Sequence, residues 1–130
     1  MLYSVEISIS PNTPRDDPVV TGLEVVSGVV KRVWVRWRWG SANLCGCRIS
    51  RWGSQLWPRT LNQWFPSSIL DTTFDESYPV DAEPLEFRIE AYNLDDTYPH
   101  TLWVALSLLR EEVNTNIQEF ASFIERGGAW

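Results

Sequence analysis

Lysine, histidine and cysteine are nearly missing from this chain. Its 130 residues hold one lysine (Lys31), one histidine (His100) and two cysteines (Cys45 and Cys47). With a single histidine, a histidine-based nucleophile triad rests on His100 alone, and no G-x-S-x-G elbow or P-loop accompanies it. Two cysteines at i, i+2 on one strand point the same way and sit too far apart to pair without distortion. They read as small core hydrophobes of a chain made in a reducing cytosol. Cationic excess is also lacking. The formal charge is −6, which gives no electrostatic footprint for nucleic acid or an anionic membrane. No apolar run is long enough to span a bilayer, and Met1-Leu2-Tyr3-Ser4 has no charged leader, so no signal peptide is expected.

Alternation is what the chain has instead. Tyr3, Val5, Ile7 and Ile9 alternate with Ser4, Glu6, Ser8 and Ser10, a strand with one buried face. Three prolines across residues 11–18 make an extended connector, and a second strand follows over residues 19–26. Residues 29–50 read as a central hairpin. Val33, Val35 and Trp37 would face Cys45, Cys47 and Ile49 across a loop at Gly40-Ser41-Ala42, with Trp34 opposite Arg48 as a cation–π pair. Gly53-Ser54 marks another hairpin turn, and Pro58 ends the short strand behind it. From Arg59 to Pro84 the period fails, and the segment reads as a long loop with short strands near residues 69–70 and 78–81. Strands resume over residues 85–92 and 100–109, the latter with Leu102, Val104, Leu106 and Leu108 inward.

This pattern predicts an all-β protein: an antiparallel β-sandwich of about seven or eight strands over residues 1–110. It fits jelly-roll and immunoglobulin-like topologies alike. Residues 111–130 change character. Val113, Ile117, Phe120, Ala121 and Ile124 follow helical spacing, predicting a short amphipathic C-terminal helix that needs a partner surface.

Chemistry-bearing clusters are weak. Cys45, Cys47 and His100 would give zinc three ligands, but the cysteines fall on the core face and a fourth ligand is missing, so a structural histidine at the turn is preferred. Asp71, Asp75, Glu76, Asp81, Asp95 and Asp96 lack calcium-loop spacing, and adjacent Asp95-Asp96 more often shape a turn. The basic run Lys31, Arg32, Arg36, Arg38, Arg48 and Arg51 reads as a strand surface ion-paired with the acidic stretch 71–86. No metal or cofactor is expected, nor an enzyme.

Eight tryptophans are the compositional excess. Trp37 reads as core and Trp39 as a second core candidate. Trp34, Trp52, Trp57, Trp64, Trp103 and Trp130 are candidates for partial exposure. Aromatics beside arginine mark interfaces. The candidate contact set is therefore Trp34, Arg36, Arg38, Arg48, Trp57, Trp64, Phe65, Trp103, Ile117, Phe120, Ile124 and Trp130. The same composition suits a carbohydrate-binding or adhesion module with rings stacked on sugars, Trp57 and Trp64 foremost.

Several segments together carry a resemblance: Ile9-Ser10-Pro11-Asn12-Thr13-Pro14, Gly28 to Val33, Gln55-Leu56-Trp57-Pro58, Trp64-Phe65, and above all Asn93-Leu94-Asp95-Asp96-Thr97-Tyr98-Pro99-His100-Thr101. Over about residues 5–106 the chain resembles small β-sandwich proteins of tailed phages and environmental viruses. The resemblance implies a virion structural component, capsid- or tail-associated, made in the host cytoplasm. Together with the aromatic excess and the C-terminal helix, it leads to the expectation of a homo-oligomer that contacts other virion proteins. It carries over no catalytic residues.

Overall fold

A computed structural model describes residues 1–110; the expected C-terminal helix, with Ile117, Phe120, Ile124 and Trp130, lies outside the described residues. Among the described residues nine strands form: β1 (Leu2–Ile9), β2 (Val19–Glu24), β3 (Gly28–Trp37), β4 (Cys45–Arg51), β5 (Ser54–Trp57), β6 (Phe65–Pro66), β7 (Asp71–Val80), β8 (Glu86–Asn93) and β9 (His100–Arg110). They make two antiparallel sheets. Sheet A has the order β1-β9-β3-β7 and sheet B the order β2-β8-β4-β5, with β6 added to β4. The all-β, two-sheet expectation holds.

The connectivity has a simple logic. β1 pairs with β9, β2 with β8, β3 with β7 and β4 with β5. The chain is thus one long antiparallel ribbon closed at the β4–β5 turn. Successive ribbon segments alternate between the sheets, and the β3–β9 and β4–β8 pairings close each sheet laterally.

Two expectations fail. The first is the central hairpin, because β3 lies in sheet A and β4 in sheet B. Residues 38–44 cross between the layers, so Trp37 does not pair with Cys45. Val33, Val35, Trp37, Cys45, Cys47 and Ile49 are nevertheless all buried. Two strands facing each other across a sandwich bury the same alternate residues as two strands side by side. The second failure is the long 59–84 loop, whose middle is β7, ten residues at the edge of sheet A. Its inward positions are Thr72, Phe74, Glu76, Tyr78 and Val80, too polar for an apolar alternation to show. Edge strands tolerate this, and the outward Asp71 and Asp75 with Pro79 also protect the edge from unwanted pairing.

Glu76 holds the two layers together at this edge. Its carboxylate accepts hydrogen bonds from Trp57 Nε1 of sheet B at 2.8 Å, from Ser77 N at 3.0 Å and from Arg59. Partial burial pushes its pKa up, but these bonds outweigh it and hold the group below its ordinary value. Trp57 itself is 1% exposed and packs against Phe74, Tyr78 and Phe87. It is a core residue and no contact candidate. The indole's one polar atom reaches a partner at the rim, which is how a buried tryptophan avoids an unpaired donor. Arg51, also buried, donates to the carbonyls of Ala82 and Pro84 and to Tyr78 Oη at 3.1 Å, fixing the β7–β8 connection.

At the opposite end, Asn93 is fully buried and uses its whole amide. Nδ2 donates to Ile9 O at 3.0 Å and Tyr98 O at 2.9 Å, while Oδ1 accepts from Asp95 N at 3.0 Å and from the Cys45 thiol at 3.3 Å. Its backbone exchanges two further bonds with Thr13. Truncation to alanine would strand buried donors and acceptors on β1, β4 and the 94–99 turn. Asn93→Ala is expected to lose about 3 kcal/mol of stability, read from the midpoint shift in urea unfolding. Because Glu76 has a depressed pKa, its stabilisation is complete above the ordinary carboxylate range and is lost as pH falls through the folded value. Glu76→Gln should therefore flatten the decline in urea midpoint below about pH 4.

Candidate interaction face

The outer face of sheet A is built by the register of four strands. Reading across β1, β9, β3 and β7, one row is Glu6, Trp103, Arg36 and Asp71, and the next is Ser4, Ala105, Trp34 and Thr73. A third row runs Leu2, Ser107, Arg32 and Asp75. Trp34, Arg36, Arg38 and Trp103 are thus brought together on one surface. Ala105 belongs to that outer face yet is 0% exposed; Trp34 stands directly opposite it and Trp103 two residues before it.

Charges frame the two indoles. The Arg32 guanidinium lies 5.9 Å from the Trp34 ring centroid and that of Arg36 5.3 Å from Trp103. Arg32 also pairs with Asp75 at 2.8 Å, Arg36 with Asp71 at 3.2 Å and Arg38 with Glu6 at 3.2 Å. All three pairs are solvent-exposed and add little to stability. The Arg32 and Arg36 pairs hold planar cations beside planar rings, and tryptophan and arginine are both enriched at interfaces. A shallow cavity of about 260 Å³ opens here, lined by Glu6, Arg36, Trp37, Arg38, Thr101 and Trp103. The expectation that the basic run pairs with the acidic stretch is met for Arg32 and Arg36, while Arg38 finds its partner on β1.

Arg48, Trp64 and Phe65 are elsewhere. Arg48 lies in sheet B, so its expected contact with Trp34 does not exist; it stacks instead on Trp64 at 4.3 Å and pairs with Glu90. Trp64 meets Tyr92 edge-on at 4.9 Å, and Arg15 covers the other ring at 4.8 Å. Tyr92 in turn lies over Gly46, where a Cβ would sit 2.6 Å from its ring. Sheet B therefore covers the part of its outer face around Gly46, Arg48 and Tyr92 with residues of the chain's own connectors. Phe65 packs against the core beside Phe74.

The remaining candidates are structural. The Asp95 carboxylate accepts a hydrogen bond from His100 Nε2 at 2.8 Å and others from Thr97 N and Tyr98 N. These bonds hold its pKa below the ordinary value and close the turn that the paired aspartates suggest. Cys45 and Cys47 are buried in the core. Burial, with the Asp95 charge adding to it, pushes the Cys45 thiol up to about 12, and burial raises Cys47 as well. Among the described residues, no group of three or more histidine, cysteine or acidic side chains is placed to hold a metal ion.

Trp39 was missed. Counting by twos from Trp37 puts it in the core, but β3 has ended and the ring is 88% exposed. Trp52 is exposed too, although Arg51 stacks on it at 4.0 Å and its Nε1 donates to Glu83 O. The sequence matches no protein-family model and no curated protein.

Both thiols should resist a thiol-reactive disulfide reagent at pH 8 in the native protein and react only at the rate of unfolding. Rapid native modification of either would place it outside the core.

Proposed function

We propose that the chain is a structural virion protein, capsid- or tail-associated, such as a decoration or minor capsid protein, acting through self-association and contacts with the particle surface. The observation that carries this is the outer face of sheet A, where Trp34 and Trp103 stand among Arg32, Arg36 and Arg38. A pair of tryptophans flanked by planar cations offers large contact area at low entropic cost. The strand orders β1-β9-β3-β7 and β2-β8-β4-β5 support reading the sandwich as an eight-stranded jelly roll with the short β6 inserted, an architecture that recurs in viral shells and in lectins. The resemblance of residues 93–101 to phage and viral β-sandwich proteins points the same way, and the turn they form is held by hydrogen bonds of Asn93, Asp95 and His100. In this reading the protein has no catalytic role, and its partners are copies of itself and other virion proteins.

Light scattering on the purified 130-residue chain tests the reading. The wild type should run as a closed oligomer, and Trp34→Ser with Trp103→Ser should shift it to monomer while the far-ultraviolet circular dichroism keeps its β signature. A wild type that stays monomeric at high concentration and binds no particle contradicts it.

A further inference from the structure

The end of the sandwich where β3 hands over to β4 carries a second feature, apart from sheet A's outer face. Trp39 stands there almost fully in solvent, beside a pocket of about 470 Å³. Its walls include Ser41, Asn43, Ser67, Ser68 and Leu70 along with the tryptophan, and it contains no charged side chain.

The walls are tied down from both sides. Trp37 N donates to Leu70 O at 2.8 Å, Leu44 N to Ser41 O at 2.9 Å, and Ser67 N to Cys45 O at 3.0 Å. Ser67 Oγ accepts from Cys45 N at 3.2 Å. Between these ties the backbone is held in the left-handed region at Ala42 (φ 50°) and Asn43 (φ 63°). Neither residue is a glycine, and alanine in particular is strained there. Ser41, in the wall, is buried, and its hydroxyl has no hydrogen-bond partner in the protein. A strained loop, an unpaired buried hydroxyl and an indole left in water each raise the free energy of the folded chain. All three meet at this one place.

We infer that this pocket binds a neutral carbohydrate, with a pyranose ring stacked on Trp39 and its hydroxyls facing Asn43 and Ser68, the exposed polar residues of the wall. A sugar ring offers an apolar C–H face to an indole and a rim of hydroxyls to uncharged donors and acceptors. That is the combination a mostly apolar pocket with a few fixed polar groups accommodates. Phosphate and carboxylate ligands are disfavoured because no arginine or lysine lines the site. The site differs from the Trp57 and Trp64 platform expected from composition, since Trp57 is in the core and Trp64 is held between Tyr92 and Arg48. It is also independent of self-association through sheet A, so either can fail without the other.

The test is ligand-observed NMR and calorimetry on the full chain with unbranched tetrasaccharides of glucose, galactose, mannose and N-acetylglucosamine. At least one should bind saturably. Trp39→Ala should weaken that binding by about tenfold or more, and Trp39→Phe should retain most of it. Trp52→Ala removes another exposed ring elsewhere and should leave binding unchanged. Because Trp39 makes so little core contact, both of its variants should keep the wild-type urea midpoint and oligomer mass. Failure of all four probes to bind the wild type overturns the inference, as does binding that Trp39→Ala leaves intact. Loss of oligomer in Trp39→Ala with no sugar bound would show the patch to be a protein contact and likewise overturn it.

Discussion

The buried amide of Asn93 is the interaction on which the closed end of the sandwich depends. One side chain spends both donors and both acceptor positions on Ile9, Tyr98, Asp95 and Cys45, while its backbone bonds Thr13. Those partners belong to β1, the approach to β9, the 94–99 turn, β4 and the connector after β1. Both sheets are therefore tied at a point that no apolar side chain could serve, because an apolar group would leave several buried backbone atoms without partners. A ribbon that pairs β1 with β9 must bring together segments at opposite ends of the described chain. An interaction that fixes this register also fixes which face of every strand is buried. At the far end Glu76 and Arg51 make the matching ties, one between the sheets and one across the β7–β8 connection.

Strand positions were largely legible because period-2 alternation is a direct record of one-sided burial. β1, β2, β5, β8 and β9 fall where that alternation, or the proline and turn residues bounding it, puts them. Pairing was not legible. Val33, Val35 and Trp37 record that their side is buried, and Cys45, Cys47 and Ile49 do the same. Nothing in either list says whether the two sides meet edge to edge or face to face. β7 was lost for a different reason: an edge strand whose inward positions include Thr72 and Glu76 carries no apolar period. Its burial is instead secured by hydrogen bonds from Trp57 and Arg59 on distant segments.

The candidate surface was half legible. Trp34, Arg36, Arg38 and Trp103 converge as alternation implies, since a correct inside face leaves a correct outside face. Arg48 and Trp64 separated from them once β4 moved to the other sheet, and Trp57 was drawn inward by three aromatic neighbours. The two faces now have different characters. Sheet B uses Arg15, Tyr92, Trp64 and Arg48 to pack its own connectors, whereas sheet A presents its tryptophans between arginines with no comparable connector stack among the described residues. Trp39, at the end of the sandwich, belongs to neither.

The central claim is that sheet A's outer face is covered when the chain assembles. The most direct measurement is fluorine NMR of the protein carrying 5-fluorotryptophan, with each resonance assigned by single substitution and followed across protein concentration. The account predicts that the Trp34 and Trp103 resonances shift together as the oligomer forms, while those of Trp57 and Trp64 stay fixed. Trp34 and Trp103 resonances that do not move while the oligomer forms would contradict it.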